Sequence, residues 1–162
     1  MREVAIVGAG MIKFGKMPQY PAAQMGGDAG LMALEQAGIR PTQIEATFCG
    51  NIGNMPNLAQ RVNGEMGVSG IPAFNHENAC ASSSAAFRQA YLSVAKGMHE
   101  YVLVVGVENM TTHIEMGTAA AGPLTLPHGA NIESDNGRLM PAVFALLGSQ
   151  HMAQFGTTAE QF

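Results

Sequence analysis

Cys80 is the residue of this sequence whose surroundings most favour covalent chemistry. It follows an apolar segment typical of a strand and precedes a predicted helix that begins at Ser82. Free backbone N–H groups and the dipole at a helix N-terminus stabilise negative charge, so they favour the thiolate, the reactive form of cysteine. The same groups can hold the oxyanion that forms in acyl transfer. We therefore predict a nucleophile at Cys80, with a structural cysteine at a close-packed turn as the alternative.

A cysteine nucleophile usually works with a histidine base, and the sequence does not single one out. His76 lies on the strand that leads to Cys80, whereas His99 precedes a strand at the opposite end of the predicted sheet. The other candidates are His113 and His128 in an irregular segment and His151 in the last helix. For each of the five, a solvated or hydrogen-bonded side chain is the simpler interpretation.

The second cysteine, Cys49, lies in the middle of a predicted strand, where a buried thiol is the expected role. Two cysteines are too few for a disulfide scaffold, and no Cys or His pair has the spacing of a metal site. The sequence therefore predicts no metal and a reducing compartment, for which the cytoplasm is the simplest choice.

The Gly8-x-Gly10 pair after a first predicted strand suggests a dinucleotide-binding turn. That fingerprint needs a third glycine at position 13, which is Lys13, and an acidic residue after the second strand, where Asn51 stands. A tight turn after a core strand is the better interpretation, and we expect no tightly bound cofactor.

Composition indicates a folded chain. Of the 162 residues, 47% are hydrophobic and 12% charged, and the net charge is -4. Intrinsic disorder requires the opposite balance. A nucleic-acid partner is not expected, because there is no basic excess, and no apolar run has the roughly 20 residues of a membrane helix.

Apolar runs alternate with helical periodicity along the first two thirds of the chain, which predicts an α/β fold with a mainly parallel sheet. The predicted strands are 4–7, 46–50, 73–78 and 101–106, and the predicted helices are 22–37, 58–66, 82–96 and 141–155. We place a half-domain over residues 1–110, and an insert or loop region with the last helix over 111–162.

Two features suggest that the fold continues beyond this chain. The predicted helix after Cys80 is apolar nearly all round, which is typical of a helix buried inside a larger protein. Residues 158–161 (Thr-Ala-Glu-Gln) fit a capping box, which begins a helix. We therefore expect the N-terminal part of a longer protein, inactive alone and inclined to aggregate or dimerise.

Two segments carry a resemblance to a known family. Residues 78–82 (Asn-Ala-Cys-Ala-Ser) resemble the nucleophile segment of thiolases, and residues 106–111 (Gly-Val-Glu-Asn-Met-Thr) resemble the stretch after the fourth strand of that family. The opening residues 4–11 and the helix 29–38 also fit. Residues 141–158 are similar to the sterol-carrier-protein-type and acetyl-CoA acetyltransferase branch.

The resemblance implies a fold of two similar βαβαβαββ halves in a layered arrangement. This chain would supply the N-terminal βαβαβαβ part, with the final strand and the C-terminal half outside it. Family dimers commonly pair through the strand that corresponds to 73–78, so a homodimer is implied. A separate chain that supplies the missing half is an alternative partner.

The resemblance also implies an activity, the joining or splitting of β-ketoacyl-CoA by Claisen chemistry. Cys80 would be the acylated nucleophile and its backbone N–H part of the oxyanion hole, with coenzyme A thioesters as substrates. The family's histidine base and most coenzyme A contacts lie in parts absent here, so no cofactor-binding residue is assigned. Peroxisomal or mitochondrial placement is an alternative to the cytoplasm, because both occur in such families.

Three alternatives stay open at this point. The run 79–84 (Ala-Cys-Ala-Ser-Ser-Ser) also resembles the nucleophile segment of β-ketoacyl synthases, which share the fold. A retro-aldolase that acts on a CoA-linked side chain is a related possibility. The third is a non-catalytic thiolase-fold subunit with a vestigial Cys80.

Overall fold

The computed structural model describes residues 1–52, 55–109 and 140–162. These residues fall into two compact units, the first holding 1–52 and 55–109 and the second holding 140–162. The proposed boundary after residue 110 and the irregular segment 111–138 lie outside the described residues.

From residue 22 onward, the first unit alternates helices and strands in the order that the periodicity predicts. Its α-helices and strands are α1 (Ala22–Ala37), β1 (Ala46–Gly50), α2 (Leu58–Glu65), β2 (Ala73–His76), α3 (Ser82–Ala95) and β3 (Val102–Gly106), and a short 3-10 helix, Pro41–Gln43, lies between α1 and β1. The α/β prediction is confirmed, and the bounds of these elements agree with the predicted ones to within two residues.

The strands form a three-stranded parallel sheet in the order β2-β1-β3. On the central strand β1, Phe48 lies opposite Phe74 of β2 and Val104 of β3. All five residues of β1 are buried, as expected for a strand covered on both faces. The parallel arrangement brings the carboxyl ends of all three strands to one edge of the sheet.

Helices cover both faces of the sheet. On one face, Cys49, Leu103 and Val105 pack in a core with residues of α1 and α2. On the other face, Ala46 and Phe48 pack against the small buried residues of α3. Side chains alternate between the faces of a strand, so β1 and β3 contribute to both cores.

The prediction of a buried strand at Val4–Val7 is wrong. No described residue pairs with this segment as a strand, and Ile6 and Val7 are 76% and 57% exposed. The segment is held at both ends instead. At one end, the backbone N–H of Arg2 donates to Ala95 O at the end of α3 (3.0 Å) and its side chain pairs with Glu100. At the other end, residues 8–10 lie against α1.

Gly8 and Gly10 are required by this contact with α1. A Cβ atom at Gly8 would overlap the carbonyl oxygen of Ala33, and one at Gly10 would overlap that of Ala29. The backbone N–H of Ala9 donates to Gln36 Oε1 at 2.7 Å. The pair of glycines therefore allows an extended segment to lie directly on a helix, which accounts for the spacing without a nucleotide.

The second unit consists of α4 (Met140–Phe155) and a short 3-10 helix, Ala159–Gln161. The expected capping box is present, since the backbone N–H of Thr158 donates to Gln161 Oε1 at 2.8 Å. His151 accepts or donates a hydrogen bond at Thr157 Oγ1 (2.9 Å) and its ring packs against Phe155. Across 1–52, 55–109 and 140–162, no helix combines the length and apolarity needed to cross a bilayer.

Candidate active site

Cys80 lies at the carboxyl edge of the sheet, between the end of β2 and the start of α3. Its side chain is exposed, whereas that of Cys49 is buried. Ligands of open α/β sheets bind outside the carboxyl ends of the strands, because loops from neighbouring strands converge there. The position predicted for the nucleophile thus coincides with the place where this type of fold builds its sites.

Two glycines bring the start of α3 down onto the sheet. Gly50 and Gly106 are register partners at the ends of β1 and β3. A Cβ atom at Gly50 would lie 2.5 Å from the backbone nitrogen of Ser83, and one at Gly106 would overlap Ser83 Oγ. Glycine at both positions lets the first turn of the helix rest on the strand ends, and this fixes the height of Cys80 above the sheet.

The backbone immediately before Cys80 is strained. Ala79 has φ 45°, in the left-handed region that costs a non-glycine residue about 1 kcal/mol or more. Hydrogen bonds hold it there: its N–H donates to Glu77 Oε1 (2.7 Å), and Ser82 Oγ donates to its carbonyl oxygen (2.7 Å). The nucleophile therefore follows a tight turn that its neighbours enforce.

A cavity of about 460 Å³ opens beside Cys80. Its walls come from the residues that follow β1 and β3, from the start of α3 and from the loop after Gly10. Glu108 is the acidic residue in this wall, and its Oε2 accepts a hydrogen bond from the backbone N–H of Ile52 at 2.6 Å. This bond ties the loop after β1 to the loop after β3.

Glu108 and Asn109 are wall residues to which no role was assigned from sequence. Asn109 is buried, and its Nδ2 donates to Tyr20 O at 3.1 Å, which holds the segment leading into α1. Both residues belong to the 106–111 stretch on which the resemblance rests. The available signal was two consecutive polar residues shortly after the apolar run 102–105, because residues that follow a strand of a parallel sheet lie at its carboxyl edge.

Neither described histidine of the first unit lines the Cys80 cavity. His76 lies at the end of β2 in a neighbouring cavity, with its ring stacked on Phe48 at 6.0 Å. His99 Nδ1 is 2.5 Å from Ser93 Oγ, before the start of β3 and so at the opposite edge of the sheet. His151 belongs to the second unit, and His113 and His128 lie outside the described residues. Among the described residues of the first unit, no histidine therefore lies beside Cys80 as a base.

Cys49 has the buried position expected of it. It is 1% exposed in the core shared with α1 and α2. Burial, with a smaller contribution from the charge of Glu108, raises the pKa of its thiol from 9.0 to about 12. A thiol of that kind stays protonated at neutral pH and is a poor nucleophile.

We expect a large difference in alkylation between the two cysteines of the folded protein. At a mildly alkaline pH, a thiol pKa of about 12 in place of 9.0 lowers the thiolate fraction of Cys49 about a thousandfold below that of an ordinary cysteine. Burial slows the reaction of Cys49 with the reagent further. Iodoacetamide should therefore add one label per chain, at Cys80, and a second label only after denaturation. Peptide mapping of a time course measures both rates.

The Cys49→Ala variant is the matched control, because it should label at the same rate as the wild type. Equal labelling of Cys49 and Cys80 in the native protein would contradict the burial of Cys49.

The acidic and thiol groups around the site do not form a metal-binding cluster. Among the described residues, no three His, Cys, Asp or Glu side chains come close enough together to hold an ion.

Comparison with known proteins identifies the family. A family profile described as the N-terminal domain of thiolases matches residues 4–162, almost the whole chain. The chain belongs to the thiolase family. Cys80 at the start of α3 and the cavity beside it therefore belong to an N-terminal thiolase domain.

Relatives of this thiolase-family chain include enzymes that are named for acyl-CoA chemistry. It is 31% identical to an acetyl-CoA acetyltransferase of Methanothermobacter thermautotrophicus, over 99% of this chain and 42% of that protein. It is 33% identical to a benzoylsuccinyl-CoA thiolase subunit of Thauera aromatica, over 98% of this chain and 40% of that protein. Sterol carrier protein 2 of Gallus gallus is 31% identical, over 99% of this chain and 31% of that protein. The chain spans about 40% of the first two relatives.

Solved structures support the fold of this thiolase-family chain. An acetyl-CoA acetyltransferase from Syntrophomonas wolfei superimposes with a TM-score of 0.54 at 24% identity, over 65% of this chain and 29% of that one. A priming β-ketosynthase of the R1128 polyketide pathway superimposes with a TM-score of 0.53 at 32% identity, over 59% of this chain and 29% of that one. The thiolase-like layered fold, present here as part of its N-terminal half, is therefore confirmed.

Proposed function

We propose that the complete protein carrying this chain is a thiolase-type acyltransferase that acts through an S-acylated Cys80. The observation that carries the proposal is the exposed Cys80 at the start of α3, beside a cavity of about 460 Å³, in a chain of the thiolase family. Claisen condensation and thiolysis of β-ketoacyl-CoA are the two directions of this reaction.

In the first step, the thiolate of Cys80 attacks the carbonyl carbon of an acyl-CoA. The tetrahedral intermediate places a negative charge on the former carbonyl oxygen, and it collapses when the coenzyme A thiolate leaves. The backbone N–H of Cys80, at the start of α3, is suited to this charge, because a helix N-terminus favours negative charge. The N–H groups of Ala81 and Ser82 already donate to Asn78 O and Ala79 O.

In this condensation direction, the α-carbanion of a second acyl-CoA then attacks the S-acyl carbon and releases Cys80. In the thiolysis direction, Cys80 instead attacks the β-carbonyl carbon of a β-ketoacyl-CoA, the bond between the α- and β-carbons breaks, and the departing acetyl-CoA carbanion takes up a proton. Free coenzyme A then takes the acyl group from Cys80, which leaves as a thiolate.

Acyl transfer also needs a proton acceptor. The described residues in the wall of the cavity include Lys13 and Glu108 but no histidine. We propose that the histidine base and most coenzyme A contacts come from other parts of the complete protein. It follows that residues 1–162 alone would not catalyse turnover of the substrate.

The complete protein is proposed to be a homodimer that pairs through residues 73–78. Support comes from β2, which lies at the edge of the described sheet and exposes Phe74. An exposed strand edge readily pairs with a second chain. The molar mass in solution, measured by light scattering, tests this arrangement, and a monomeric mass would contradict it.

A β-ketoacyl synthase is the second candidate, supported by the 32% identity to the priming β-ketosynthase and by the serines at 82–84. Both enzymes acylate a cysteine, but they differ in the second substrate. A thiolase joins two acyl-CoA molecules or uses free coenzyme A, whereas a ketosynthase decarboxylates a malonyl thioester.

The experiment that tests the proposal supplies acetoacetyl-CoA and coenzyme A to the complete protein. We expect two molecules of acetyl-CoA per acetoacetyl-CoA consumed, and an acetyl adduct on the Cys80 peptide after acid quenching. Chromatography of the products and mass spectrometry of the peptide measure these outcomes.

The same protein with malonyl-CoA in place of the second acyl-CoA serves as the comparison. Carbon dioxide release with malonyl-CoA, without thiolysis of acetoacetyl-CoA, would favour the ketosynthase. An unmodified Cys80 in every mixture would favour a non-catalytic subunit.

A further inference from the structure

The cavity beside Cys80 has an apolar wall that is continuous with the hydrophobic core. Four side chains line the cavity and also belong to the core between the sheet and α1, or pack on it: Ile12, Met17, Met25 and Val107. Met25 and Val107 are buried, whereas Ile12 and Met17 are half-buried and so present part of their surface to the cavity. This wall offers a ligand apolar contact.

The loop that carries Ile12 and Met17 is held at both ends. Gly10, before the loop, lies directly on the backbone of α1. After the loop, the carbonyl oxygens of Met17 and Tyr20 both accept from Asn109 Nδ2, at 3.4 and 3.1 Å. A wall fixed in this way is already formed before a ligand arrives, so little ordering entropy is lost on binding.

The size and charge of the cavity favour an uncharged hydrocarbon chain. Its volume of about 460 Å³ lies within the range of small-molecule sites, roughly 300–1,000 Å³, and an acetyl group would fill only a small part of it. Lys13 and Glu108 are the charged residues among its described lining, and their opposite signs give no preference for a charged ligand. The methionine side chains can adapt to chains of different shape.

We propose that this apolar wall takes the hydrocarbon chain of the acyl group on Cys80, so that the protein selects saturated acyl chains longer than acetyl. A chain attached to the sulfur of Cys80 starts in the same cavity that Ile12 and Met17 line. The inference rests on the proposed acylation of Cys80. Ile12 and Met17 determine specificity and take no part in bond making.

The test measures single-turnover acylation of Cys80 in the complete protein by quenched-flow mass spectrometry, with acetyl-, butyryl- and hexanoyl-CoA below saturation. Burial of one methylene group is worth about fourfold in rate, so we expect the second-order rate constant to rise by about that factor per methylene from acetyl to butyryl, and further for hexanoyl. N-acetylcysteine with the same thioesters gives the intrinsic dependence on chain length.

Variants assign the preference to the two residues. Ile12→Ala and Met17→Ala should each lower the hexanoyl-to-acetyl ratio about tenfold and leave the rate with acetyl-CoA within about twofold of wild type. Met17→Leu keeps the volume of the side chain and should keep the ratio. Ile12→Val removes a single methyl group, so it reports a smaller decrease even if the alanine variant does not fold.

Ile39→Ala is the matched control. Ile39 is half-buried against the same core, but it is not among the residues that line the cavity. The substitution is chemically the same as Ile12→Ala, so it should cost a similar amount of stability and leave the hexanoyl-to-acetyl ratio unchanged. Melting temperatures of the two variants measure the first effect separately from the second.

A second measurement does not depend on acyl transfer. The Cys80 thiolate displaces iodide from N-methyl- and N-hexyl-iodoacetamide, and the alkyl group then extends from the sulfur as an acyl chain would. We expect the hexyl reagent to label Cys80 about tenfold faster or more, and this preference to decrease in Ile12→Ala but not in Ile39→Ala.

The outcomes separate the two proposals. A complete protein that none of the three thioesters acylates at Cys80 contradicts the proposed function. Acylation without dependence on chain length, or equal labelling by the two iodoacetamides, contradicts the subsite alone and would indicate that another part of the protein covers the wall. An equal decrease with acetyl-CoA and hexanoyl-CoA in both alanine variants would place the coenzyme A arm against the wall and overturn the proposal.

Discussion

Replacement of Cys80 by alanine is expected to abolish acyl transfer by the complete protein. The sulfur is the atom that carries the acyl group, and no other described side chain in the cavity can take over a thiolate's role. Loss of a covalent nucleophile typically lowers kcat by about a thousandfold or more. Thiolysis of acetoacetyl-CoA and the mass of the Cys80 peptide measure the effect.

Two comparisons make this result specific. Cys80 is exposed, so the Cys80→Ala protein should melt at the wild-type temperature. The loss of activity is then due to the missing nucleophile and not to unfolding. Cys49→Ala removes a thiol of the same kind from the core and should still be acylated at Cys80. Thiolysis at the wild-type rate in Cys80→Ala would contradict the assignment of the nucleophile.

Gly50→Ala is expected to impair both stability and acylation. The new Cβ atom would lie 2.5 Å from Ser83 N and 2.6 Å from Ser82 C, against an ordinary contact of 3.4 Å or more. These are backbone atoms, so the start of α3 must move away from the sheet by close to 1 Å. A displacement of that size near a reacting group can cost about a hundredfold in rate, and overpacking costs about 1–3 kcal/mol of folding free energy.

Gly64→Ala is the matched control. This glycine lies in α2, has no heavy atom within 4 Å of an added Cβ, and is not among the residues with positive φ. Alanine there should leave acylation unchanged and stabilise the protein by up to about 1 kcal/mol. A Gly50→Ala protein that is acylated at the wild-type rate would show that the start of α3 does not position Cys80.

The sequence was informative where local rules decide the structure. Gly38, in the left-handed conformation, ends α1 at the predicted residue, and the apolar run 46–50 forms the central strand. The position of Cys80 could be predicted for the same reason, because a strand followed at once by small residues places a side chain at a helix start. These features depend on neighbours close in the chain.

Features that depend on distant residues were not predictable. The run Val4–Val7 has strand composition, yet composition does not say whether a pairing edge is within reach, and the contacts of Arg2 and Gly8 hold the run elsewhere. The bond from Ile52 to Glu108 joins residues 56 apart in the chain. The hydrogen bond from the backbone N–H of Asn51 to His76 O likewise forms only because two strand ends lie side by side.

The glycine pair at the strand ends imposes two different kinds of evolutionary constraint. At Gly50 the obstacle is the backbone of Ser82 and Ser83, which no substitution of those residues removes. At Gly106 the nearest obstacle is the Ser83 side chain, with Oγ and Cβ as the atoms met. Whether a larger residue is tolerated at position 106 therefore depends on the residue at position 83, so the two positions show epistasis. Glycine at position 50 is required whatever the neighbouring side chains are.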